Sequence, residues 1–176
     1  MKNILSFGAS NSTSSINRKL AEWAAAQVED GTVTTLDLND FEMPIYSPER
    51  EKEGAPKEAQ EFKKLLENAD GIIISFAEYN GSYTSAFKNI IDWASRLEGK
   101  LWSNKPMLLL ATSPGGRGGQ LVLEAAQKTA PHMGGRVLGS FSLPSYHSNF
   151  SPEQGITDAE LKLDFEKQFV RFVEGL

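Results

Sequence analysis

Three segments of this chain place residues that could hold and orient a small molecule directly after an apolar run. The first, Gly8-Ala9-Ser10-Asn11-Ser12-Thr13-Ser14-Ser15-Ile16-Asn17, sets six consecutive small polar residues ahead of a helix. Hydroxyls and backbone amides there could donate to phosphate oxygens, with the positive end of the helix behind them. A serine-rich cap and turn is the plainer reading. Neither a G-x-x-x-x-G-K-S/T loop nor a G-x-G-x-x-G fingerprint is present. The second segment, Gly71–Trp93, carries Ile72, Ile73 and Ile74 into Ala77-Glu78-Tyr79-Asn80-Gly81-Ser82 and then a helix. A tyrosine can stack on a ring, and a glycine lets backbone groups come close to it. The third, Thr112–Gly119, has four glycines in five residues with Arg117 among them. It suits the edge of a planar ligand, or it is a flexible connector.

These loops need a frame, and the pattern supplies one. Strands are expected at Lys2–Phe7, Thr32–Leu38, Gly71–Phe76, Pro106–Thr112 and from Arg136 to about Pro144. Helices are expected from about Ser15, over Pro56–Asn68, over Thr84–Leu97, from the glycine loop to about His132, and at the C-terminus. Thr157-Asp158-Ala159-Glu160 reads as a capping box, with Leu161, Phe165, Phe169, Phe172 and Val173 as one buried stripe. Alternating strands and helices predict a parallel sheet covered on both faces, with right-handed crossovers. In the order 2-1-3-4-5 the three loops meet at the switch point beside strand one, where open sheets bind ligands.

Composition narrows the possibilities. The 176 residues fit a single domain spanning 1–176, with 40% hydrophobic and 23% charged residues. A net charge of -5 without a basic cluster argues against nucleic acid as a partner. No apolar segment is long enough to span a membrane. The N-terminus enters a strand at once, leaving no room for a signal peptide, so a cytoplasmic protein is expected. With no cysteine and only His132 and His147, neither thiolate catalysis nor a cysteine- or histidine-rich metal site is available.

The three segments together resemble the NAD(P)H-dependent FMN reductase family of flavodoxin-like proteins, which includes quinone, azo-dye and chromate reductases. Gly8–Leu20 is similar to its phosphate loop, Ala77–Trp93 to its E-Y-N-G-S…K-N-x-x-D-W signature, and Thr112–Gly119 to its T-S-P-G-G loop. The resemblance implies a flavodoxin-like three-layer sandwich with FMN and NAD(P)H as cofactors. It implies that Ser10, Ser12, Ser15, Ile16 and Asn17 hold the FMN phosphate. Glu78, Tyr79, Asn80 and Gly81 would line the isoalloxazine, with Ser113, Gly115 and Gly116 on its other side. Arg117 would face a pyridine-nucleotide phosphate or solvent. Many members carry an arginine where Ser12 stands, so here phosphate binding would rest on neutral hydroxyls and amides.

The implied activity is hydride transfer from NAD(P)H to bound FMN, then reduction of a quinone, azo compound, flavin or similar small acceptor. The cofactor carries that chemistry, and no catalytic side chain is expected. A flavodoxin-type one-electron carrier and a non-catalytic flavin-binding module are the alternatives. The resemblance also implies a homodimer or homotetramer, with Asn39–Pro56 and Thr84–Leu97 as candidate contacts. Trp102 precedes a strand in a polar loop, where it could be exposed and add to such a contact. Lys88 and Asp92 are spaced for an ordinary i,i+4 ion pair.

Overall fold

Ile72, Ile73 and Ile74 cannot all face one core from an extended strand, because successive side chains point to opposite sides. The computed structural model, which describes residues 1–176, accordingly has a core on each face of its sheet. Ile72 and Ile74 pack with Phe62, Leu66, Phe87, Ile90 and Val122 on one side. Ile73 packs with Leu20, Ala24, Leu108, Phe165 and Phe172 on the other.

The sheet contains β1 (Lys2–Ala9), β2 (Gly31–Thr35), β3 (Gly71–Phe76), β4 (Pro106–Thr112) and β5 (Arg136–Leu143). Its order is β2-β1-β3-β4-β5, and every neighbouring pair is parallel. The first face is covered by α3 (Lys57–Asn68), α4 (Ser85–Ala94) and α5 (Gln120–Thr129), and the second by α1 (Ile16–Ala25) and α7 (Ala159–Glu174). This is the flavodoxin-like sandwich. Register places Ala9 beside Phe76 and Phe76 beside Ala111, so β1, β3 and β4 finish at one level and release their loops together.

Short elements fill the connections: a 3₁₀ turn at Leu38–Phe41, α2 (Pro48–Glu51), α6 (Tyr146–Asn149), and the hairpin β6 (Phe150–Ser151)–β7 (Gly155–Ile156). The long connection after β2 is held by the signature helix α4. Asn89 donates to the Met43 and Pro44 carbonyls at 3.2 and 3.1 Å and accepts from Tyr46 N–H at 2.8 Å. Trp93 donates its indole N–H to the Pro44 carbonyl at 2.7 Å. Lys88 and Asp92 form the expected i,i+4 pair at 2.8 Å.

Four expectations change. β2 ends at Thr35 rather than Leu38, because Asp37 turns to accept from Asn39 N–H and starts the 3₁₀ turn. The C-terminal helix is capped by Asp158, whose carboxylate accepts from Leu161 N–H at 2.9 Å. Thr157 instead turns back to the Ser148 and Asn149 carbonyls, so no capping box forms. Val173 is exposed, because the stripe rotates away at the last turn while Phe172 takes the buried position. Trp102 is buried, not exposed: its backbone N–H donates to the Met133 carbonyl at 3.1 Å, and the ring joins the core beside Met107 and Gly135.

Candidate functional site

The first loop is shaped by close packing beneath it. A Cβ on Gly8 would come within 2.7 Å of the Arg18 Cα, so glycine lets α1 turn back directly over β1. Ser10 and Ser15 are buried, and their hydroxyls accept from Ser12 N–H and Arg18 N–H, both at 3.1 Å. Ser12, Thr13 and Ser14 remain exposed. Ile16 and Asn17 are the first two residues of α1, so their N–H groups have no carbonyl within the helix. No cation enters this cradle. Arg18 points away, to Glu22 at 2.8 Å and Asp37 at 2.7 Å, and the two carboxylates hold its guanidinium proton more firmly than usual.

Asn17 ties the three loops together. Its side chain is buried, donates to Thr112 O at 3.1 Å, and accepts from Thr112 N–H at 3.0 Å and Ser75 Oγ at 2.7 Å. One amide thus fastens the start of α1 to the ends of β3 and β4. Thr84 adds a second tie, donating to Ala9 O at 2.9 Å while capping α4.

The second loop contains a tight turn. Tyr79 and Ser82 exchange both backbone hydrogen bonds, at 3.0 and 3.1 Å, around Asn80 and Gly81 at φ 52° and 75°. Two positive φ values in a two-residue turn are the type I′ geometry for which Asn-Gly is the favoured pair. The turn holds Tyr79 half exposed above the sheet edge. Glu78 does not point into open space: its carboxylate accepts from Val122 N–H at 3.0 Å, capping α5. The residue before α5 is Gly119, which has no side chain to cap with, and the glutamate of a different loop takes that task.

In the third loop the carbonyls of Ser113 and Gly115 accept from the Tyr146 and Ser145 N–H groups at 3.0 and 2.9 Å. The segment after β5 therefore straps the glycine loop in place. Gly115 and Gly116 differ from the other glycines here. Neither has a positive φ, and a Cβ would meet nothing within 4 Å at Gly116 and only Ser113 Oγ, at 4.0 Å, at Gly115. Nothing inside the protein demands glycine at either position, and the space above them is open.

These pieces surround a cleft of about 250 Å³ lined by Ser10, Ser12, Ser15, Ile16, Asn17, Glu78, Tyr79 and Ser113. Ser14, Ala77, Thr112 and Pro114 also line it, and sequence reasoning had not singled them out. Asn80 and Gly81 stand on the turn behind Tyr79. Gly116 and Arg117 line a second, larger cleft of about 610 Å³ on the far side of the glycine loop.

A flavin mononucleotide fits this chemistry. The cradle supplies exposed hydroxyls and helix-start N–H groups for a phosphate, and beyond Ser113 and Pro114 the side-chain-free Gly115–Gly116 stretch leaves open space beside the cleft for a planar ring. The model of the NADPH-dependent FMN reductase family matches residues 2–148. The chain belongs to that family. A 2-hydroxy-1,4-benzoquinone reductase of a Burkholderia species is 35% identical over 106 residues, covering 59% of this chain and 56% of that relative's length. An NADPH azoreductase of Bacillus sp. (strain OY1-2) is 29% identical over 141 residues, 80% of this chain and 68% of that protein. Among solved structures, FerB of Paracoccus denitrificans, a flavoenzyme NAD(P)H:(acceptor) oxidoreductase, superposes with a TM-score of 0.78. The two are 26% identical, with 99% of this chain and 96% of FerB covered. An NADH:FMN oxidoreductase, EMOB, in its apo form, gives a TM-score of 0.76 at 24% identity, over 100% of this chain and 90% of that one. No helix of the chain is long and apolar enough to cross a membrane.

Proposed function

We propose that this chain is an FMN-dependent oxidoreductase that draws on NAD(P)H and reduces a small acceptor such as a quinone, an azo compound or a flavin. The observation that carries the reading is a cation-free cradle at the head of α1 that faces Tyr79 and Ser113 across one cleft, with two glycines just beyond Pro114, Gly115 and Gly116, that neither packing nor backbone conformation requires. The redox chemistry, acceptance of hydride from a reduced nicotinamide and its onward delivery, is supplied by FMN.

The chain's own residues bind and orient. Ser12, Thr13 and Ser14 offer hydroxyls, and Ile16 and Asn17 offer backbone N–H groups, to a phosphate at the head of α1. Asn17 contributes through its backbone, since its side chain is committed to Ser75 and Thr112. Tyr79 flanks the ring on the rigid Asn80–Gly81 turn, with Glu78 fixing that loop to α5. The Gly115 and Gly116 N–H groups are directed to no partner in the protein and are available to a polar ring edge, where such donors stabilise developing negative charge. With no side chain over the glycines, a flat donor and then a flat acceptor can reach the same face.

We place the enzyme in the cytoplasm, where reduced pyridine nucleotides are held, and assign it a homodimer or homotetramer. The exposed Ile45, 75% accessible beside Leu38, Phe41 and Met43 near α4, supports a subunit contact there. Light scattering of the wild type and of Ile45→Asp tests that assignment, which predicts a smaller species for the variant.

The function is tested by loading the protein with FMN, excluding oxygen and adding NADH or NADPH while following the flavin's visible absorption. Prompt loss of the oxidised band, with its return on adding a quinone, is the expected result. Bound flavin that stays oxidised with both donors overturns the reading.

A further inference from the structure

The largest concavity near the flavin cleft is the one sharing its glycine loop. Ser113 and Pro114 line the flavin side, while Gly116 and Arg117 line the cleft of about 610 Å³ on the other side. That cleft runs between the start of α5, the open edge of β5 and the inner turn of α7. Its volume lies in the range of small-molecule sites. In the chain only Gly115 separates Pro114, in the wall of the first cleft, from Gly116, in the wall of the second. That spacing suits a ligand with two ends, one reaching the flavin and the other lodged beyond the glycines.

The polar groups of the second cleft are few. Arg117 is its one cation and Asp164 its one anion, and Gln120, Gln127 and Ser140 also line it. Gln127 donates to Ser140 Oγ across the floor, and Ser142 donates to the Gly118 carbonyl at 2.9 Å, so the wall is tied to the glycine loop. Arg117 forms no ion pair with any carboxylate of the chain. Leu121 and Leu161 give apolar surface for an adenine face.

We propose, on the footing of the reductase reading above, that this cleft holds the adenosine-diphosphate half of the pyridine nucleotide and selects NADH over NADPH. Arg117 pairs with the pyrophosphate. Asp164 accepts from a free ribose 2′-hydroxyl and repels a 2′-phosphate, the discrimination an acidic residue makes in dinucleotide sites of open sheets. No second cation lines the cleft to neutralise two further negative charges. One carboxylate facing a phosphate in a half-open cleft accounts for a preference of about tenfold.

The test uses FMN-loaded protein and two probes that lack nicotinamide, ADP-ribose and its 2′-phosphorylated form, with binding read by calorimetry. ADP-ribose is expected to bind about tenfold more tightly than its 2′-phosphorylated form. Arg117→Ala should weaken both by about tenfold, and Asp164→Asn should close most of the gap between them. Both side chains are exposed, so neither variant is expected to disturb folding. Equal or tighter binding of the 2′-phosphorylated probe to the wild type overturns the proposal, as does indifference of both affinities to both substitutions. The anaerobic reduction experiment separates this from the reductase reading. Flavin bleached by NADH without Arg117-dependent ADP-ribose binding sinks only the assignment of the cleft. Flavin that no nucleotide reduces sinks the function itself.

Discussion

Replacing Asn17 by alanine should damage the molecule more than its position in a loop-to-helix junction suggests. The side chain is 3% exposed and makes three hydrogen bonds, to Thr112 O, Thr112 N–H and Ser75 Oγ. Alanine leaves a backbone N–H, a backbone carbonyl and a hydroxyl facing a small gap in the interior. A buried donor or acceptor left unsatisfied costs about 1–3 kcal/mol. The Ser75 hydroxyl can rotate to another acceptor, so the Thr112 pair dominates, and the expected loss is about 3 kcal/mol. That is a large share of the roughly 5–15 kcal/mol that holds a domain together. With a urea slope of about 2 kcal/mol/M, the unfolding midpoint should fall by about 1.5 M at unchanged slope. FMN affinity should fall as well, since the first loop, proposed above to hold the phosphate, loses its tie to β3 and β4. A loss below about 1 kcal/mol would refute the reasoning, because it would mean that water or side-chain rotation satisfies the orphaned groups.

Three further outcomes are expected. Gly115→Leu should change stability by less than about 0.5 kcal/mol, since the new side chain enters open space, yet weaken FMN binding at least tenfold by flavin fluorescence titration. Gly81→Ala forces a Cβ into φ 75° and should cost about 1–2 kcal/mol, lowering the melting temperature by about 2–8 °C, while Asn80→Gly should be nearly neutral. The Asp37 carboxyl is held below its ordinary value of 3.8, first by the Asn39 backbone N–H, against the opposing effect of burial, and then by the Asn39 amide and Arg18. A depressed carboxylate stabilises the fold above its unfolded value and loses that contribution as pH falls through its folded value. Stability profiles of the wild type and Asp37→Asn should therefore differ near neutral pH and converge below pH 3.8.

The frame was legible because its signals are short-range and redundant. β3 and β4 have the expected bounds, Gly71–Phe76 and Pro106–Thr112, since each opens with a glycine or a proline and runs straight into at least three consecutive apolar residues. The Asn80-Gly81 dipeptide also announced its turn, but next to a helix rather than between two long strands it was read only as loop. Less visible were the ties that depend on where distant segments meet. Asn17 sits at a helix start, which spoke for a phosphate contact that its backbone N–H still offers, and nothing local showed that its side chain reaches residues 58 and 95 positions away. Nothing beside Glu78 in the chain showed that its carboxylate caps α5, where Gly119 cannot. Trp102 in a polar loop read as exposed, and the turn that buries it depends on Met133 from another element. At Thr157-Asp158 two capping residues stood side by side. The choice fell to Asp158 because Thr157 was already engaged with the carbonyls after α6.

Whether the three loops form one flavin cleft is decided by a crystal structure of the FMN complex. The phosphate should lie against Ser12–Asn17 at the head of α1, and the ring should lie over Gly115–Gly116 with Tyr79 at its flank. Flavin seated elsewhere, whether in the groove beside Ile45 or in the cleft of Arg117 and Asp164, would contradict the account.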